Sequence, residues 1–455
     1  MDFVAVDLGA SGSRYVTDCG QISVLSNNMV VLPNNELSSI TPDATDIESC
    51  LEVQIVKETG AECNHFPANV LIGIMADRLG GALLRPNSMA AKHQQKVNYI
   101  STIVSCALAR LKYGVEEAFD LYLAVPPIQI EDAREVFGKS LVGTYLVKFP
   151  KYMGGTEVRL TINDSISISE EAFMAITSFF FNMNGTVKES AKQYMSGNVT
   201  VLSLDIGAST SDISIIRNGR YLNKSGMTYQ YGGNIARSAL IDAIRRKYTI
   251  ELPVEDAERV MAEGRLQLGN KYVDISEEVS SAKRALAKQL AVCMQDYFGK
   301  IQIPPTSINA IIVSGGGSLQ GQYISEDGEV VNTSEPMSFF VTEEYRQWSQ
   351  YTDVVPYGDE ARFANIKGLY IKAKMDQVKR NKEQLMSQAA QPIVQPVAQS
   401  VAQPVVQSVQ PQPVVQSTVQ AVQPQPVVQT NVQPVVQPAP QVSAEQPAAQ
   451  TIQTQ

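Results

Sequence analysis

Asp7-Leu8-Gly9-Ala10-Ser11 opens the chain, and Asp205-Ile206-Gly207-Ala208-Ser209 repeats it mid-chain with one aliphatic residue exchanged for another. Each copy follows an apolar run, Phe3-Val4-Ala5-Val6 or Val201-Leu202-Ser203-Leu204. Each leads into a second strand-like stretch, Arg14-Tyr15-Val16 or Ile213-Ser214-Ile215-Ile216. The pattern predicts two β-hairpins whose tips carry a carboxylate, small hydroxyl residues and glycine. Glycine lets backbone N–H groups close on an anion, and the hydroxyls add donors. An aspartate at the strand end suits a divalent cation held through water. Such an aspartate also caps its own turn, but its duplication in matched surroundings favours ligand binding. Two such tips facing each other would clamp a metal–polyphosphate from both sides.

A third glycine-rich element, Ser314-Gly315-Gly316-Gly317-Ser318, follows the apolar run Ala310-Ile311-Ile312-Val313 and offers bare backbone to something flat or anionic. Strand-like and helical runs alternate around these elements, the pattern of α/β architecture. Helices are expected over Ile130–Phe137, over Glu170–Asn182 and from Gly233-Asn234 to about Tyr248. Another is expected over Ser276–Phe298, where Val279, Ala282, Leu286, Leu290, Cys293 and Tyr297 recur at helical spacing as one buried stripe. The chain has no G-x-x-x-x-G-K-[ST], which excludes a P-loop, and no H-R-D or D-F-G set of a protein kinase.

At 455 residues the chain exceeds one ordinary core, so two domains are expected. A net charge of -9 argues against broad direct contact with nucleic acid or anionic lipid. Five widely spaced cysteines without a C-x-x-C pair, and only two histidines, fit reduced structural thiols rather than a disulfide framework or zinc site. No basic leader precedes Phe3, and the apolar run Ala172–Phe181 is shorter than a membrane span. A soluble, cytoplasmic protein is expected. Residues 388–455 hold no Lys, Arg, Gly or aromatic residue, one acid (Glu445), and the unit Gln-Pro-Val-Val-Gln starting at Gln403, Gln412, Gln425 and Gln433. Scattered proline and valine cannot close a core, so this tail is expected to be disordered. A partner-binding arm and a solubility bristle both stay open for it.

Taken together, in this order and spacing, the three glycine-rich elements resemble those of the actin, DnaK-type chaperone and sugar-kinase superfamily. Its two phosphate loops look like Asp7–Arg14 and Asp205–Asp212, and its adenosine loop like Val313–Ser318. Ser169–Ile176 is similar to the first connecting helix, with Glu171 at the acid and Ala172 where proline is common. Ala364-Asn365-Ile366-Lys367-Gly368-Leu369 is similar to the second, in the F-A-N-x-x-G form of plasmid-segregating bacterial actins of the ParM type. Asp256–Arg259, with Glu263 and Gly269 behind, resembles a nucleoside-contacting stretch; Met261 replaces a usual lysine there, so only Glu263 is carried over.

The resemblance covers about residues 1–374. It implies an α/β actin-like fold of two ribonuclease-H-like domains around a nucleotide cleft, followed by the disordered Pro/Gln/Val-rich tail. The domains would span 1–200, with a smaller subdomain at about 25–90, and 201–387, with one at about 228–300. The cofactors it implies are ATP, with GTP open, and Mg²⁺. Asp7 and Asp205 would hold the hydrated ion, and Glu171 would position the attacking water. Ser11, Gly12, Ser13, Arg14, Gly207, Ser209, Thr210, Ser211 and Asp212 would surround the phosphates. Gly315, Gly316 and Gly317 would pass under the adenosine and α-phosphate, and Glu263 would meet the nucleoside. Glu171 would equally suit a helix dipole, and Asp212 an ion pair with a neighbouring base.

Within this superfamily a chaperone would need a large substrate domain that the remaining residues do not supply. A membrane-recruited actin would need an amphipathic anchor, and Met375–Met386 is highly charged with no apolar face expected. The favoured reading is an ATPase that assembles with copies of itself into nucleotide-dependent filaments. It would segregate plasmid DNA through a DNA-binding adaptor protein, touching DNA only indirectly and no membrane. Positioning of phage or organelles, and a non-polymerising small-molecule kinase, are the alternatives. The tail is an expected docking segment for a further protein.

Overall fold

Strand β1 (Phe3–Leu8) is buried on both faces, which is why it reads as an unbroken apolar run. Val4, Val6 and Leu8 enter one core, while Phe3 and Ala5 enter another on the opposite face. The computed structural model that shows this describes residues 2–389 apart from 11, 34–37, 42–46, 81–82, 88–89, 165, 321, 325–329 and 333. The expected tail therefore lies outside the described residues from 390 onward; its first two positions end the helix Ala364–Ala389.

The first sheet continues with β2 (Gly12–Thr17), β3 (Ile22–Ser26), β4 (Met29–Val31), β5 (Glu52–Lys57) and β6 (Ala68–Ile72). After them come β7 (Ala118–Val125), β8 (Gly143–Phe149), β9 (Thr156–Ile162) and β10 (Ser167–Glu170). Their order is β3-β2-β1-β7-β9-β8-β5-β6-β4, with β10 beside β7. β1 runs antiparallel to β2 and parallel to β7. The Asn-, Ser- and Glu-rich stretch that suggested a smaller lobe thus contributes β4, β5 and β6 to an extension of the same sheet.

The second sheet begins with β11 (Thr200–Ile206), β12 (Ser211–Arg217), β13 (Arg220–Tyr221) and β14 (Met227–Tyr229). β15 (Arg265–Leu268) and β16 (Lys271–Asp274) pair apart from it, and β17 (Ala310–Ser314) returns to it. β18 (Gln322–Ile324) and β19 (Val330–Asn332) pair apart again, and β20 (Asp353–Pro356) closes it. The order β13-β12-β11-β17-β20, with β14 beside β12, places an antiparallel hairpin against a parallel pair, as in the β2-β1-β7 part of the first sheet.

Two helices bind the sheets together. Helix Glu171–Phe180 starts one residue later and stops two earlier than expected, because Phe181 turns extended and Asn182 closes a turn on Thr186. Met174 packs in the core behind the first sheet, whereas Ile176 and Phe180 pack against the second. The closing helix Ala364–Ala389 lies along it, with Ile366, Leu369, Tyr370 and Ile371 on the back of the first sheet. Gly368 permits this approach, since a Cβ there would stand 2.0 Å from the Met174 carbonyl oxygen. The helix expected from Ser276 runs to Ile301, and all six stripe residues are buried. The last turns of the closing helix expose Met375, Val378, Leu385 and Met386 among their charges. Among the described residues no helix is long and apolar enough to cross a membrane.

The Gly368 contact yields a direct test. Gly368→Ala drives a methyl group into rigid backbone and is expected to cost about 1–3 kcal/mol, read as a lower urea midpoint at unchanged slope. An unaltered midpoint would mean that the two helices are free to separate.

Candidate active site

The two acidic hairpins are superposable in register but not in charge. In β1–β2 Asp7 lies opposite Arg14, and in β11–β12 Asp205 lies opposite Asp212. Arg14 Nη1 stands 3.7 Å from Asp7 Oδ2 and donates to the Gly12 carbonyl. Across from Asp205 there is a second acid instead. Asp205 Oδ1 accepts from Ser314 Oγ at 3.1 Å, and Oδ2 from Asn365 Nδ2 at 2.9 Å. Asp212 Oδ1 accepts from Thr228 Oγ1 at 2.6 Å. Carboxylate oxygens of Asp205, Asp212 and Glu171 lie within 4.8 Å of one another, all on buried residues. This all-oxygen set suits a hard divalent cation. The sequence placed the ion between Asp7 and Asp205; the geometry gathers Glu171 and Asp212 around Asp205 and sets Asp7 against Arg14.

Lys92 reaches into the same cluster, in contact with Glu171 Oε1. Its backbone is fixed by its own N–H donating to Gln129 Oε1 (2.8 Å) and by Asn98 Nδ2 donating to its carbonyl (3.0 Å). Burial works against the Lys92 ammonium, but the Glu171, Asp7 and Asp212 carboxylates outweigh it and hold its pKa above the ordinary lysine value. Burial raises the carboxyl of Glu171, with Lys92 pulling it back. Asp205 is raised by burial and steadied by the Asn365 amide, and Asp212 is raised well above the usual range by burial and by Glu171. Four carboxyl groups thus share the region with two cations, and burial and mutual repulsion work against ionising all four at once.

Asp7, Arg14, Lys92, Glu171, Asp205 and Asn365 line one cavity of about 310 Å³, and Asp212 is not among the lining residues. The first tip brings Asp7, Leu8, Gly9, Ala10 and Arg14, and the second brings Asp205, Gly207, Ala208, Ser209 and Thr210. Gly315, Gly316 and Gly317 also line it, as do Lys92 and Glu171. Gly315 adopts φ 85°, and a Cβ there would stand 2.3 Å from the Ile206 carbonyl oxygen, so only glycine lets the third turn close on the second tip. The Gly233 and Asn234 amides donate to Gly207 and Ala208 carbonyls, seating that tip on the helix Asn234–Tyr248.

Not every expected residue faces the cavity. Ser11 lies outside the described residues. Gly12 and Ser13 belong to β2, and Ser13 Oγ donates away from the cleft to Asn27 Oδ1. Ser211 Oγ likewise donates to the Tyr231 carbonyl. Both hydroxyls are thus engaged by partners within the protein. Glu263 pairs with Arg259 and Arg265. The acid lining the cavity is Glu258, on another face of the helix Val254–Glu263 and paired with Arg237.

Sequence reasoning missed Lys92, Asn27 and Gln320. Asn27 is buried, and its Nδ2 holds the Gly9 carbonyl at 2.6 Å. Gln320 follows the glycine turn and donates to the Gly233 carbonyl. Nothing local marks these residues: Lys92 and Glu171 are 79 positions apart. Four buried polar atoms that line the cavity side chains have no partner: Arg14 Nε, Arg237 Nε, Gln320 Oε1 and Asn365 Oδ1. Such orphans are costly unless a ligand satisfies them.

A family model for the C-terminal part of archaeal MreB-like actin homologues matches residues 203–322. No curated protein matches the sequence. Among solved structures, the actin-like protein Alp7A superposes with a TM-score of 0.61 at 16% identity, covering 85% of this chain and 99% of that one. The archaeal actin homologue Ta0583 in complex with ADP gives 0.55 at 14%, covering 82% and 100%. A ParM from Clostridium botulinum, solved as a 15-stranded filament, gives 0.54 at 15%, covering 82% and 99%. The likeness in each case is one of fold.

The crowding of acids sets a pH dependence. Asp212 has a folded-state pKa raised above its unfolded value, so its ionisation lowers stability as pH rises through the folded pKa. Asp212→Asn keeps an acceptor for Thr228 and removes the charge. The ligand-free variant is expected to melt above the parent at about pH 9, with the gap closing towards about pH 5. A lower melting temperature at the alkaline end would contradict the crowding.

Proposed function

We propose that this protein of actin-like fold binds a magnesium nucleoside triphosphate in the cleft, hydrolyses it, and couples that cycle to assembly into filaments. The observation that carries the reading is the convergence of both acidic hairpin tips with Glu171 and Lys92 on one cavity. The ADP held by the archaeal homologue and the filament formed by the botulinum ParM support it. In this reading the two sheets are the cores of two domains, 1–200 and 201–387, that close on the nucleotide.

The chemistry follows from the residues in place. Glu171, Asp205 and Asp212 would hold Mg²⁺, with Asp7 beside them. Bound there, the ion would relieve the repulsion among these carboxylates and offset part of the charge of the β- and γ-phosphates. Amides of Ala10 and of Ala208–Thr210 would donate to phosphate oxygens, while those of Gly9 and Gly207 close their own turns on the Asp7 and Thr210 carbonyls. Glu171 accepts a hydrogen bond from a water and aims its lone pair at the γ-phosphorus. The new O–P bond forms as the bond to the β–γ bridging oxygen breaks, its electron pair staying on the diphosphate. The water's proton leaves by way of Glu171 to the released phosphate. Lys92 keeps Glu171 ionised despite its burial and presents N–H groups to the γ-phosphate oxygens. Asn27 holds the first tip in register for this by fixing Gly9.

Assembly is the second half of the proposal. Contacts to the γ-phosphate favour the closed pair of domains, and loss of that phosphate releases them, so filament growth follows nucleotide state. The most economical biological setting is segregation of plasmid DNA through a DNA-bound adaptor in the cytoplasm, with the tail recruiting a further protein. ATP is the favoured nucleotide.

Turnover measured across protein concentration tests the whole reading. Phosphate release is expected to rise sharply above a critical concentration, together with light scattering. Glu171→Gln is expected to lower turnover about 10²-fold or more while nucleotide still binds. Turnover strictly proportional to concentration, with no scattering, would point instead to a solitary kinase of the same fold.

A further inference from the structure

Asn365 is the first polar residue of the closing helix, and its two side-chain atoms have unequal surroundings. Nδ2 donates to Asp205 Oδ2 at 2.9 Å. That carboxylate can only accept when ionised, so the amide orientation is fixed, and Oδ1 must point away from it. Oδ1 is buried, has no hydrogen-bond partner, and belongs to a residue that lines the cavity. It is an acceptor waiting for a donor, next to the acidic cluster.

We infer that Asn365 completes the outer hydration sphere of the divalent cation, its side-chain carbonyl accepting a hydrogen bond from a metal-bound water beside Asp205. The inference rests on the magnesium–nucleotide reading above. A water whose lone pair is taken by a cation donates both of its protons, so a hydrated ion needs acceptors arranged around it. Asp205, Asp212, Glu171 and Asp7 supply charged ones, but each added carboxylate increases the repulsion already crowding this cluster. A neutral amide supplies an acceptor at no such cost. Asn365 does this while fixing the Asp205 carboxylate through its other end, which Ser314 also grips from β17. It is therefore a positioning residue for the ion rather than a group that touches the reacting phosphate.

The test uses the full-length protein with Mn²⁺ as probe, titrated by electron paramagnetic resonance in the presence of a non-hydrolysable ATP analogue. Nucleotide affinity is measured in parallel in EDTA. Asn365→Ala is expected to weaken Mn²⁺ binding about tenfold or more, while nucleotide affinity in EDTA changes by less than about twofold. Ser314→Ala removes the other hydrogen bond to Asp205 but no acceptor, and is expected to weaken Mn²⁺ less than about threefold. Unchanged Mn²⁺ affinity in Asn365→Ala overturns the inference and leaves the hydrolysis reading standing. Equal losses in both variants reduce Asn365 to a brace for Asp205 and overturn it too. An equal loss of metal-free nucleotide binding would reassign Oδ1 to the nucleotide. A parent protein that binds no Mn²⁺–nucleotide overturns the parent reading itself. Should Asn365→Ala fail to fold, double resonance on the parent labelled with ¹³C in its asparagine amides gives the answer. A carbon coupled to Mn²⁺ through one water is expected, and its absence rejects the proposal.

Discussion

Repulsion among four carboxylates is the constraint around which the rest of this molecule is arranged. Asp7, Glu171, Asp205 and Asp212 come from three separate parts of the chain into one buried region, where like charges are poorly screened. Arg14 and Lys92 offset part of the charge. The matched hairpins show how the remainder is localised. The residue seven places after the first aspartate is a base, and the residue at the same place after the second is an acid. One tip pairs its acid with a base, and the other sets two acids against each other. The asymmetry makes the two sides of the cleft electrostatically unlike.

Holding those charges together requires stiff supports, and the fold provides them from both sheets. Asp7 and Asp205 each end a central strand buried on both faces, so neither can swing away without disturbing a core. Ser314 and Asn365 grip the Asp205 carboxylate from a neighbouring strand and from the closing helix. The third glycine turn comes close enough to touch the second tip because no side chain stands between them.

Much of this architecture was legible in the sequence for a simple reason: its signals are local. A repeated Asp-x-Gly-Ala-Ser after an apolar run specifies strand, tip and strand within a dozen residues, and the stripe from Val279 to Tyr297 specifies one buried helix face. Asp7, Asp205 and the three glycines, all of which line the cavity, stood out on the same local grounds, whereas Glu171 was reached only through the family resemblance. What escaped was whatever depends on direction or on distance along the chain. Ser13 and Ser211 were expected to offer hydroxyls to phosphate, but both hydroxyls are engaged by partners within the protein. Glu258 and Glu263 share a helix, yet sequence alone does not say which one faces the cleft. Lys92 sits in a short turn without periodicity or motif, and only the folded chain carries it to Glu171.

Helix Glu171–Phe180 has one flank in the core behind the first sheet and the other against the second. Its first residue, Glu171, carries the carboxylate that would aim the attacking water in the proposed hydrolysis. A close-packed interior transmits displacement rather than absorbing it, so tilting one sheet relative to the other must shift that carboxylate as well. In the proposed cycle the hydrolytic clock would be geared to the angle between the sheets, and neighbours in a polymer that clamp the angle would set how long each subunit keeps its triphosphate, without any of them reaching into the pocket.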